Sequence, residues 1–272
     1  MYPITLTSDF GLKSHYAASV KGVVLSQLGQ VNIIDISHQV PAFNLHKASY
    51  VFKNAYLNFP KNSFHFIFND LHTTKSKKIL YVYENSHHIL CPDNGFLTLL
   101  FGEKPIRIYS LIDEIEPFNY IQVATQYCQV ANAIINGVNP YLEAVSIDKL
   151  HVRKPSYPYE ENGVVETQII HIDTFGNVIL NITKQQFEEY RKGRKFKILF
   201  MRDDEISKLQ NHYNDVPVNE VLCLFNSNNY LEIAINRGNA ANAFGFEDAD
   251  DRSLFYTKIK IFLNDTNSKN EL

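Results

Sequence analysis

A change in the rhythm of predicted elements near residue 151 constrains the fold of this chain more than any other feature. Before it, short apolar runs alternate with helical patterns. The runs cover 4–7, 31–36, 64–68, 79–83, 88–91 and 106–110, and the helices cover 16–28 (capped by Ser14), 45–58 and 125–136. Strands that alternate with helices in this way favour a largely parallel sheet with helices on its faces.

From residue 164 onward, predicted strands follow one another almost without interruption. They cover 164–172, 178–182, 195–200, 221–225, 230–235 and 254–262, with one helix at 184–191. This composition is typical of a small antiparallel barrel or sandwich. We therefore predict an α/β fold with an N-terminal, largely parallel sheet flanked by helices, followed by a C-terminal small antiparallel β-barrel.

The same pattern predicts the domain boundaries. The segment 151–163 carries two prolines, mixed charge and a closing Asn-Gly, which is typical of a linker. The boundaries we predict are an α/β N-terminal domain at 1–152, a linker at 153–163, a β-barrel C-terminal domain at 164–264 and a polar tail at 265–272.

The charge balance argues against one large class of function. The 272 residues include 29 acidic and 26 basic side chains, for a net charge of −3 at pH 7, which excludes a polycationic nucleic-acid binder. No apolar stretch approaches the ~18 residues of a membrane-spanning helix. The first residues also lack the basic and apolar segments of a secretory signal. We expect a cytoplasmic protein that binds neither nucleic acid nor membrane.

The sequence offers little support for a metal site. The cysteines Cys91, Cys128 and Cys223 are widely spaced and form neither a disulfide framework nor a CxxC metal motif. His87 and His88 are adjacent on a predicted strand, so their side chains point to opposite faces. No His/Glu spacing is typical of zinc, and we predict no metal.

Acidic side chains stand at or near the ends of several predicted strands. Asp9 follows the first strand, Asp70 follows the third, and Asp35 lies near the end of the second. In an open parallel sheet, ligands bind beyond the carboxyl ends of the strands, and a carboxylate is costly to bury unpaired. These acids suit a polyhydroxylated ligand, such as a ribose whose neighbouring hydroxyls both donate to one carboxylate. The alternative is that Asp9 only caps the turn or helix that follows.

Three further motifs are polar turns by composition. PDNG (92–95) is typical of a tight turn, since Asn and Gly adopt positive φ. In DTFGN (173–177), Asp and Asn together can bind an amino-acid zwitterion, and a simple β-turn explains the motif as well. NSNNYLEIA (226–234) with GNAA (238–241) can bring backbone groups close to an adenine edge, or is only a polar hairpin tip.

Taken in order along the chain, these motifs resemble the S-adenosyl-L-methionine hydroxide adenosyltransferase family, whose relatives include fluorinases and chlorinases. The motifs that carry the resemblance are TSDFG (7–11), Tyr16 with Lys21-Gly22, DISHQVP (35–41), Phe59-Pro60, PDNG, DTFGN, NSNNYLEIA and GNAA. Each is weak alone, and their order and spacing make the set specific. The resemblance implies a homotrimer with each active site between the N-terminal domain of one subunit and the barrel of the next.

The resemblance also implies a small-molecule nucleoside substrate, S-adenosyl-L-methionine, and no cofactor. Asp9 would bind the ribose hydroxyls, and Phe43 would line the pocket. The other implied substrate-binding residues are Thr73, Asn94, Asp173, Phe175, Asn177, Ser227, Asn239 and Ala240. Among these, the residues of DTFGN would hold the methionine portion and the adjacent base.

The implied catalytic residues depart from the family pattern. Asp70 stands where hydrolytic relatives place a catalytic aspartate, but the family's arginine position falls on Lys77. The family's His-Gly-Arg-Asp segment is also missing, and counting back from 136–138 puts Gln122 at the histidine position. We therefore take Asp70, Lys77 and Gln122 as the candidate catalytic residues.

The implied reaction needs few protein groups. A water or hydroxide attacks the ribose 5′ carbon in line, and methionine leaves as a neutral thioether, so no general acid is required. Asp70 would accept the proton, with Lys77 supplying positive charge, and His72 is either a further base or a solvated loop residue. We predict a hydrolase that forms adenosine and L-methionine.

Three alternatives to this hydrolase stay open. The first is a non-catalytic family member that binds S-adenosyl-L-methionine or adenosine. The second is a hydrolase of another 5′-substituted nucleoside. A halogenase is the third and is disfavoured, because no halide pocket is identifiable in the sequence.

Overall fold

A computed structural model describes residues 2–72, 76–102, 104–111, 118–199, 205–246 and 257–264. The chain divides into two compact units, Met1–Pro155 and Ser156–Leu272. Thr73, which the resemblance assigns to substrate binding, and the predicted tail at 265–272 lie outside the described residues.

A seven-stranded sheet forms the centre of the first unit. Its strands are β1 (Ile4–Thr7), β2 (Ile33–Ser37), β3 (Phe64–Ile67), β4 (Ile79–Glu84), β5 (His87–Pro92), β6 (Ile108–Leu111) and β7 (Leu142–Val145). In the order β2-β1-β3-β5-β4-β6-β7, the first four are mutually parallel and the remaining pairs are antiparallel. The turn between β4 and β5 has two residues, Asn85 and Ser86, both with positive φ, and so short a turn joins only antiparallel strands.

Helices cover both faces of this sheet. They are α1 (Tyr16–Leu28), α2 (Leu45–Tyr56), α3 (Phe96–Phe101) and α4 (Tyr120–Ile135), with a 3₁₀ turn at Ile147–Lys149. α1 and α4 pack on one face and α2 and α3 on the other. The predicted parallel-rich sheet with flanking helices is confirmed. Among the residues that the structure describes, no helix is both long and apolar enough to cross a membrane.

The capping residue of one helix and the first residue of another differ from the sequence prediction. The N-cap of α1 is His15, whose side chain makes no capping hydrogen bond, so the predicted cap at Ser14 is wrong. Helix α4 begins five residues before the predicted 125, because the Asn119 side chain accepts the backbone N–H groups of Ile121 and Gln122, each at 3.1 Å.

The core of the first unit lies on both faces of the central strands. Side chains at alternate positions of β1, such as Ile4 and Leu6, pack against α1 and α4. On the opposite face, Ile67 and Ile89 pack with Phe52 of α2. Strands buried on both sides are expected where helices cover both faces of a parallel sheet.

The second unit is a nearly closed antiparallel barrel. Its strands are β8 (Tyr159–Glu161), β9 (Val164–Ile172), β10 (Val178–Thr183), β11 (Lys195–Leu199), β12 (Glu205–Ile206), β13 (Val221–Phe225), β14 (Tyr230–Ile235) and β15 (Lys258–Asn264). The order is β12-β11-β15-β9-β10-β14-β13, with β8 paired to β9. A bridge between Leu209 and Cys223 links the two ends of that order. The predicted small antiparallel barrel is confirmed.

Two helices and a 3₁₀ turn complete the second unit. They are α5 (Lys184–Arg191), α6 (Ala240–Ala243) and the turn Tyr213–Asp215. A capping box starts α5: the Thr183 hydroxyl accepts the Gln186 backbone N–H, and the Gln186 side chain accepts the Thr183 backbone N–H. The apolar side of α5 carries Phe187, which is buried in the barrel core.

Candidate active site

The carboxyl ends of four parallel strands of the first unit meet at one edge of the sheet. The chain leaves β1 through α1 toward β2 on one side, whereas β3 is followed by β4 and β5 on the other. Ligands of open α/β sheets bind at such a switch point. We call the side chains that converge there, Asp9, Asp70, Asn94 and Arg153, the strand-edge cluster.

Asp9 is held by two backbone groups distant in sequence. Its Oδ2 accepts the N–H of Phe43 and the N–H of Asp70, both at 3.1 Å. Both donors have a left-handed backbone, with φ of 64° and 50°, a conformation uncommon for residues other than glycine. No group in the described ranges hydrogen-bonds the other oxygen, Oδ1. Asp9 therefore presents one fixed acceptor for a ligand hydroxyl.

Asp70 is nearly buried, with 4% of its surface exposed. Its backbone N–H binds Asp9, and its carbonyl accepts the Asn94 side-chain amide at 3.1 Å. Its Oδ2 lies 3.7 Å from Nη2 of Arg153. Two segments thus fix the backbone of Asp70, and a third places a positive charge beside its carboxylate.

The turn after β5 contributes to the same edge. Asn94 is 1% exposed, and its side-chain amide donates to the carbonyls of Asn69 and Asp70, at 2.8 and 3.1 Å. The adjacent Asp93 accepts the backbone N–H of His151 at 2.9 Å and the Ser76 hydroxyl at 3.1 Å. The PDNG motif is therefore more than a local turn, because it ties the loop after β3 to the segment that follows β7.

The other two candidate catalytic residues lie in elements that reach this edge. Lys77 is half-buried and precedes Lys78, whose carbonyl accepts the Asp93 N–H at 3.0 Å. Gln122 is half-buried in the first turn of α4. That turn reaches the edge because the rings of Tyr120 and Phe10 lie 5.8 Å apart.

His72 is exposed, and its ring lies 6.1 Å from the ring of Phe118 in an edge-on contact. This contact places it beside the start of α4, on the solvent side. The geometry is that of a solvated loop residue.

A chain of polar contacts supports the loop that carries Asp9. The Ser8 hydroxyl lies 2.6 Å from Nδ1 of His38, and Nε2 of His38 lies 3.0 Å from Oδ1 of Asp35. Lys21 donates to Oδ2 of Asp35 at 2.6 Å. Partial burial opposes ionisation of Asp35, but the bonds from Lys21 and His38 prevail and lower its pKa. His38 is 3% exposed, which fits a structural role for the DISH motif.

In the barrel, the DTFGN segment forms a tight turn between β9 and β10. Oδ1 of Asp173 accepts the backbone N–H groups of Phe175 and Asn177, both at 2.9 Å, and Oδ2 accepts the Asn177 side-chain amide at 3.0 Å. Both carboxylate oxygens therefore bind within the turn itself, as in an Asx turn. Phe175 projects from the turn and is 76% exposed.

A second segment packs directly on this turn. Gly176 has φ of 80°, and a Cβ there would lie 2.1 Å from Oδ1 of Asn239, so only glycine fits. The Ala241 N–H donates to the Gly176 carbonyl at 2.8 Å. Asn239 caps α6 by accepting the Asn242 N–H at 2.8 Å, and Ala240 is buried. The structure thus brings DTFGN and GNAA together.

A buried carboxylate lies near the same turn. Glu232 is 3% exposed and accepts the Tyr213 hydroxyl at 2.7 Å and the Asn226 amide at 3.2 Å. Burial raises its pKa, the two hydrogen bonds oppose the rise, and the charge of Asp173 adds to it. Ser227 is exposed in the turn between β13 and β14.

Comparison with known proteins identifies the family. Residues 4–141 match the SAM hydroxide adenosyltransferase N-terminal domain, and residues 167–253 match the C-terminal domain of that family. The chain belongs to the SAM hydroxide adenosyltransferase family.

Curated relatives match this family member over most of its length. An (R)-S-adenosyl-L-methionine hydrolase of Methanocaldococcus jannaschii is 26% identical over 265 residues, covering 93% of this chain and 95% of the relative. An enzyme of the same name from Thermus thermophilus is 22% identical over 91% of this chain and 97% of its own length.

Solved structures share the fold. An uncharacterised conserved protein from Thermotoga maritima superposes with a TM-score of 0.76 at 27% identity, covering 95% of this chain and 99% of that one. A conserved hypothetical protein from Thermus thermophilus gives 0.69 at 22% identity, covering 97% and 100%. The architecture of this family member is therefore found in experimental structures.

Within the first unit, the structure brings together several residues that the resemblance selected. Asp9, Asp70 and Asn94 form one hydrogen-bonded cluster, and Phe43 joins it through its backbone while its side chain is 63% exposed. In the described part of the chain, no group of three His, Cys, Asp or Glu side chains is arranged to hold a metal ion.

Sequence reasoning missed two charged residues. Arg153 lies in the segment predicted as a linker, and nothing in its local sequence marks contact with Asp70. Glu232 was passed over as part of a polar hairpin. Its signal was visible, since a carboxylate between Leu231 and Ile233 within an apolar strand is unusual and indicates a specific buried partner.

Proposed function

We propose that this protein hydrolyses (R)-S-adenosyl-L-methionine at the ribose 5′ carbon to form adenosine and L-methionine. The observation that carries the proposal is that Asp9 and Asp70 meet at the switch point, where the Asp70 backbone N–H donates to the Asp9 carboxylate and one Asp9 oxygen stays available. The hydrolase names of relatives that span more than nine-tenths of the chain support the substrate and reaction.

In this proposal, Oδ1 of Asp9 accepts the ribose hydroxyls and the exposed ring of Phe43 lines the pocket, while the buried Asn94 supports the site by holding the Asp70 carbonyl. Charge-assisted hydrogen bonds to a carboxylate are among the stronger ones in proteins, which suits a residue that anchors the sugar. The barrel residues proposed to hold the methionine portion and the base are Asp173, Phe175, Asn177, Ser227, Asn239 and Ala240.

The chemistry is a displacement at carbon. A water oxygen forms the new bond to the 5′ carbon as the carbon–sulfur bond breaks, and methionine leaves with the electron pair on sulfur. One water proton is released, and Asp70 accepts it. Lys77 contributes positive charge, and the Gln122 amide positions the water, because an amide can donate and accept hydrogen bonds but cannot take a proton at neutral pH.

Most of the rate enhancement in this proposal comes from placement. Opposite charges neutralise each other as a hydroxide-like oxygen approaches a sulfonium-bearing carbon, so a site with little water favours the reaction. Holding the attacking oxygen in line contributes a further ~7 kcal/mol or more in well-aligned systems. A family member that binds without turnover is not favoured, because the curated relatives carry hydrolase names.

The direct test is incubation of the purified protein with S-adenosyl-L-methionine, followed by chromatography. We expect adenosine and methionine in equal amounts, with adenosine formation lowered about 1,000-fold in Asp70→Asn and retained in Arg107→Gln, a control at an exposed arginine. Binding by calorimetry without products would establish a binder instead. Inertness toward S-adenosyl-L-methionine with turnover of another 5′-substituted nucleoside would replace the substrate.

We also propose a cytoplasmic homotrimer in which each active site combines two subunits. Co-expression of Asp70→Asn with Asp173→Ala tests this arrangement, provided that each variant alone has reduced activity. If one subunit supplies Asp70 and its neighbour supplies Asp173, random mixing restores about one quarter of the sites. No restoration in a mixed assembly would refute sites shared between subunits.

A further inference from the structure

The nearly buried carboxylate of Asp70 has a cationic neighbour that comes from far along the chain. The exposed fraction of the Asp70 side chain is 4%, and Nη2 of Arg153 lies 3.7 Å from its Oδ2. A carboxylate withdrawn from water stays ionised only when nearby charges or hydrogen bonds compensate for the lost hydration. Arg153 provides a full positive charge at ion-pair distance.

Hydrogen bonds fix the backbone of Arg153 close to the turn after β5. Its N–H donates to the Thr98 hydroxyl oxygen at 2.9 Å, and that oxygen lies 2.8 Å from the Arg153 carbonyl. Two residues earlier, the His151 N–H donates to Asp93. The Arg153 Nε donates to the Asn94 carbonyl at 3.3 Å. The side chain is therefore directed along the turn after β5 toward Asp70.

Gly95 makes room for the stem of Arg153. Its φ is 95°, and a Cβ at this position would lie 2.5 Å from Cγ and 3.0 Å from Cβ of Arg153. Any side chain here would displace the arginine stem and strain the backbone. The conformation of the PDNG turn and the path of Arg153 thus depend on the same glycine.

We propose that Arg153 is a positioning residue for the reaction, holding the Asp70 carboxylate ionised and oriented at the strand edge. The inference rests on the proposed function and deepens it by adding a residue from outside the motifs that carry the family resemblance. Arginine suits this role because its planar fork binds a carboxylate and a carbonyl at the same time. Here Nε donates to the Asn94 carbonyl, and Nη2 lies at ion-pair distance from the Asp70 carboxylate.

The kinetic test compares Arg153→Gln and Arg153→Lys with wild type, and uses Arg107→Gln as the matched control, since Arg107 is exposed on the same unit. We expect kcat to fall about 100-fold in Arg153→Gln through misplacement of Asp70, while KM changes less than threefold. The acid limb of the pH–rate profile moves up by about one pH unit. Arg153→Lys retains the wild-type limb and more of the activity.

A purely structural arginine would give a different result. Loss of activity in Arg153→Gln with an unmoved acid limb, or with KM rising as much as kcat falls, would overturn the proposal. The other titratable or charged groups at this edge are unchanged in all variants: Asp9, Asp35, His38, His72, Lys77 and Asp93.

A second measurement separates this proposal from the proposed function. The carboxyl carbon of Asp70, assigned with Asp70→Asn, is followed against pH by NMR of ¹³C-aspartate-labelled protein. We expect its transition to occur at higher pH in Arg153→Gln than in wild type, whether or not S-adenosyl-L-methionine is the substrate. An identical transition in both proteins would refute the role of Arg153. Absence of hydrolysis by wild type would refute only the proposed function.

If Arg153→Gln fails to fold, Gly95→Ala provides an independent perturbation. The added methyl group displaces the arginine stem, and with it the guanidinium, without removing the positive charge from the protein. We expect the same direction of change in kcat and in the Asp70 transition. Wild-type behaviour of Gly95→Ala, in a protein that circular dichroism shows to be folded, would contradict the inference.

Discussion

The two units of this protein hold their candidate binding carboxylates in opposite ways. In the first unit, Asp9 is bound by backbone groups 34 and 61 residues away, and one of its oxygens is left for a ligand. In the barrel, both carboxylate oxygens of Asp173 accept hydrogen bonds from groups no more than four residues away. The first arrangement builds a site from distant segments, whereas the second builds a turn.

This difference separates two kinds of contribution to binding. A carboxylate with an available oxygen contributes directly to ligand affinity, and its loss weakens binding. A carboxylate whose oxygens both accept hydrogen bonds within its own turn acts indirectly. It fixes the conformation of the turn, and here it thereby fixes the position of the exposed Phe175. Asp9 lies in TSDFG and Asp173 lies in DTFGN, and the sequence alone makes both aspartates candidate ligand-binding residues. Their hydrogen bonds in the structure show that the two carboxylates have different roles.

The largest effect is expected from Asp70→Asn. Loss of the proton acceptor should lower kcat about 1,000-fold, while Asp173→Asn, which keeps an oxygen for the turn, should lower it less than tenfold. Steady-state kinetics with chromatographic detection of adenosine measures both. Equal losses in the two variants would erase the distinction between the units.

Asp9→Ala should weaken the binding of adenosine about 100-fold, since removing a charge-assisted acceptor costs roughly 1.5–3 kcal/mol. Titration calorimetry with adenosine measures this without turnover, and Arg107→Gln serves as the unaffected control. An unchanged affinity in folded Asp9→Ala would show that Oδ1 does not face the sugar.

The two units should also differ in acid stability. Burial and neighbouring histidines lower the pKa of His65 to about 3, and burial with the charge of His87 lowers that of His88 to about 4. The unfolded chain binds these protons near pH 6.5, so the free energy of unfolding falls as pH drops from 6.5 toward 4. At pH 5 the loss is about 2 kcal/mol for each histidine.

Urea unfolding between pH 7 and pH 5, with hydrogen exchange to resolve the units, tests this expectation. Protection in the first unit should decrease with falling pH more than protection in the barrel. His88→Gln keeps an acceptor for the Tyr81 hydroxyl, now 2.9 Å from the ring nitrogen, and should flatten the pH dependence. An equal pH dependence in this variant would contradict the assignment.

The smallest effect is expected from Asp173→Ala on stability. The substitution removes the acceptor of two backbone N–H groups in a turn that is partly solvated, at a cost of about 1 kcal/mol. Thermal unfolding followed by circular dichroism measures it. A loss of adenosine affinity as large as that of Asp9→Ala would show that Asp173 binds the ligand directly through its carboxylate, and not only through the turn that it fixes.

Much of the fold could be predicted because it depends on local patterns. The strands 4–7, 164–172, 221–225 and 230–235 and the helix 184–191 have the bounds predicted from their periodicity. The predicted start of α4 is too late, because it takes no account of the capping by Asn119. The alternation of strands and helices also does not indicate the antiparallel half of the first sheet, which follows from the two-residue turn between β4 and β5.

The candidate site was only partly predictable. Asp9, Asp70 and Asn94 were selected through motifs, and the strand order then explains why they meet. Arg153 could not be selected in this way, because its contact with Asp70 joins residues 83 positions apart and depends on the shape of the turn at Gly95.

The amino-acid sequence alone determined the alternation of elements, the change to a barrel and the motifs of the SAM hydroxide adenosyltransferase family, since these depend on residue order and periodicity. Only the tertiary structure decided which polar atoms are engaged and which are available. The Asp9 and Asp173 carboxylates are chemically the same, but their hydrogen-bond donors differ. Asp9 accepts backbone N–H groups from distant segments, whereas Asp173 accepts N–H groups of its own turn. Hydrogen bonds between remote segments depend on strand order and burial, and a local sequence pattern does not determine either.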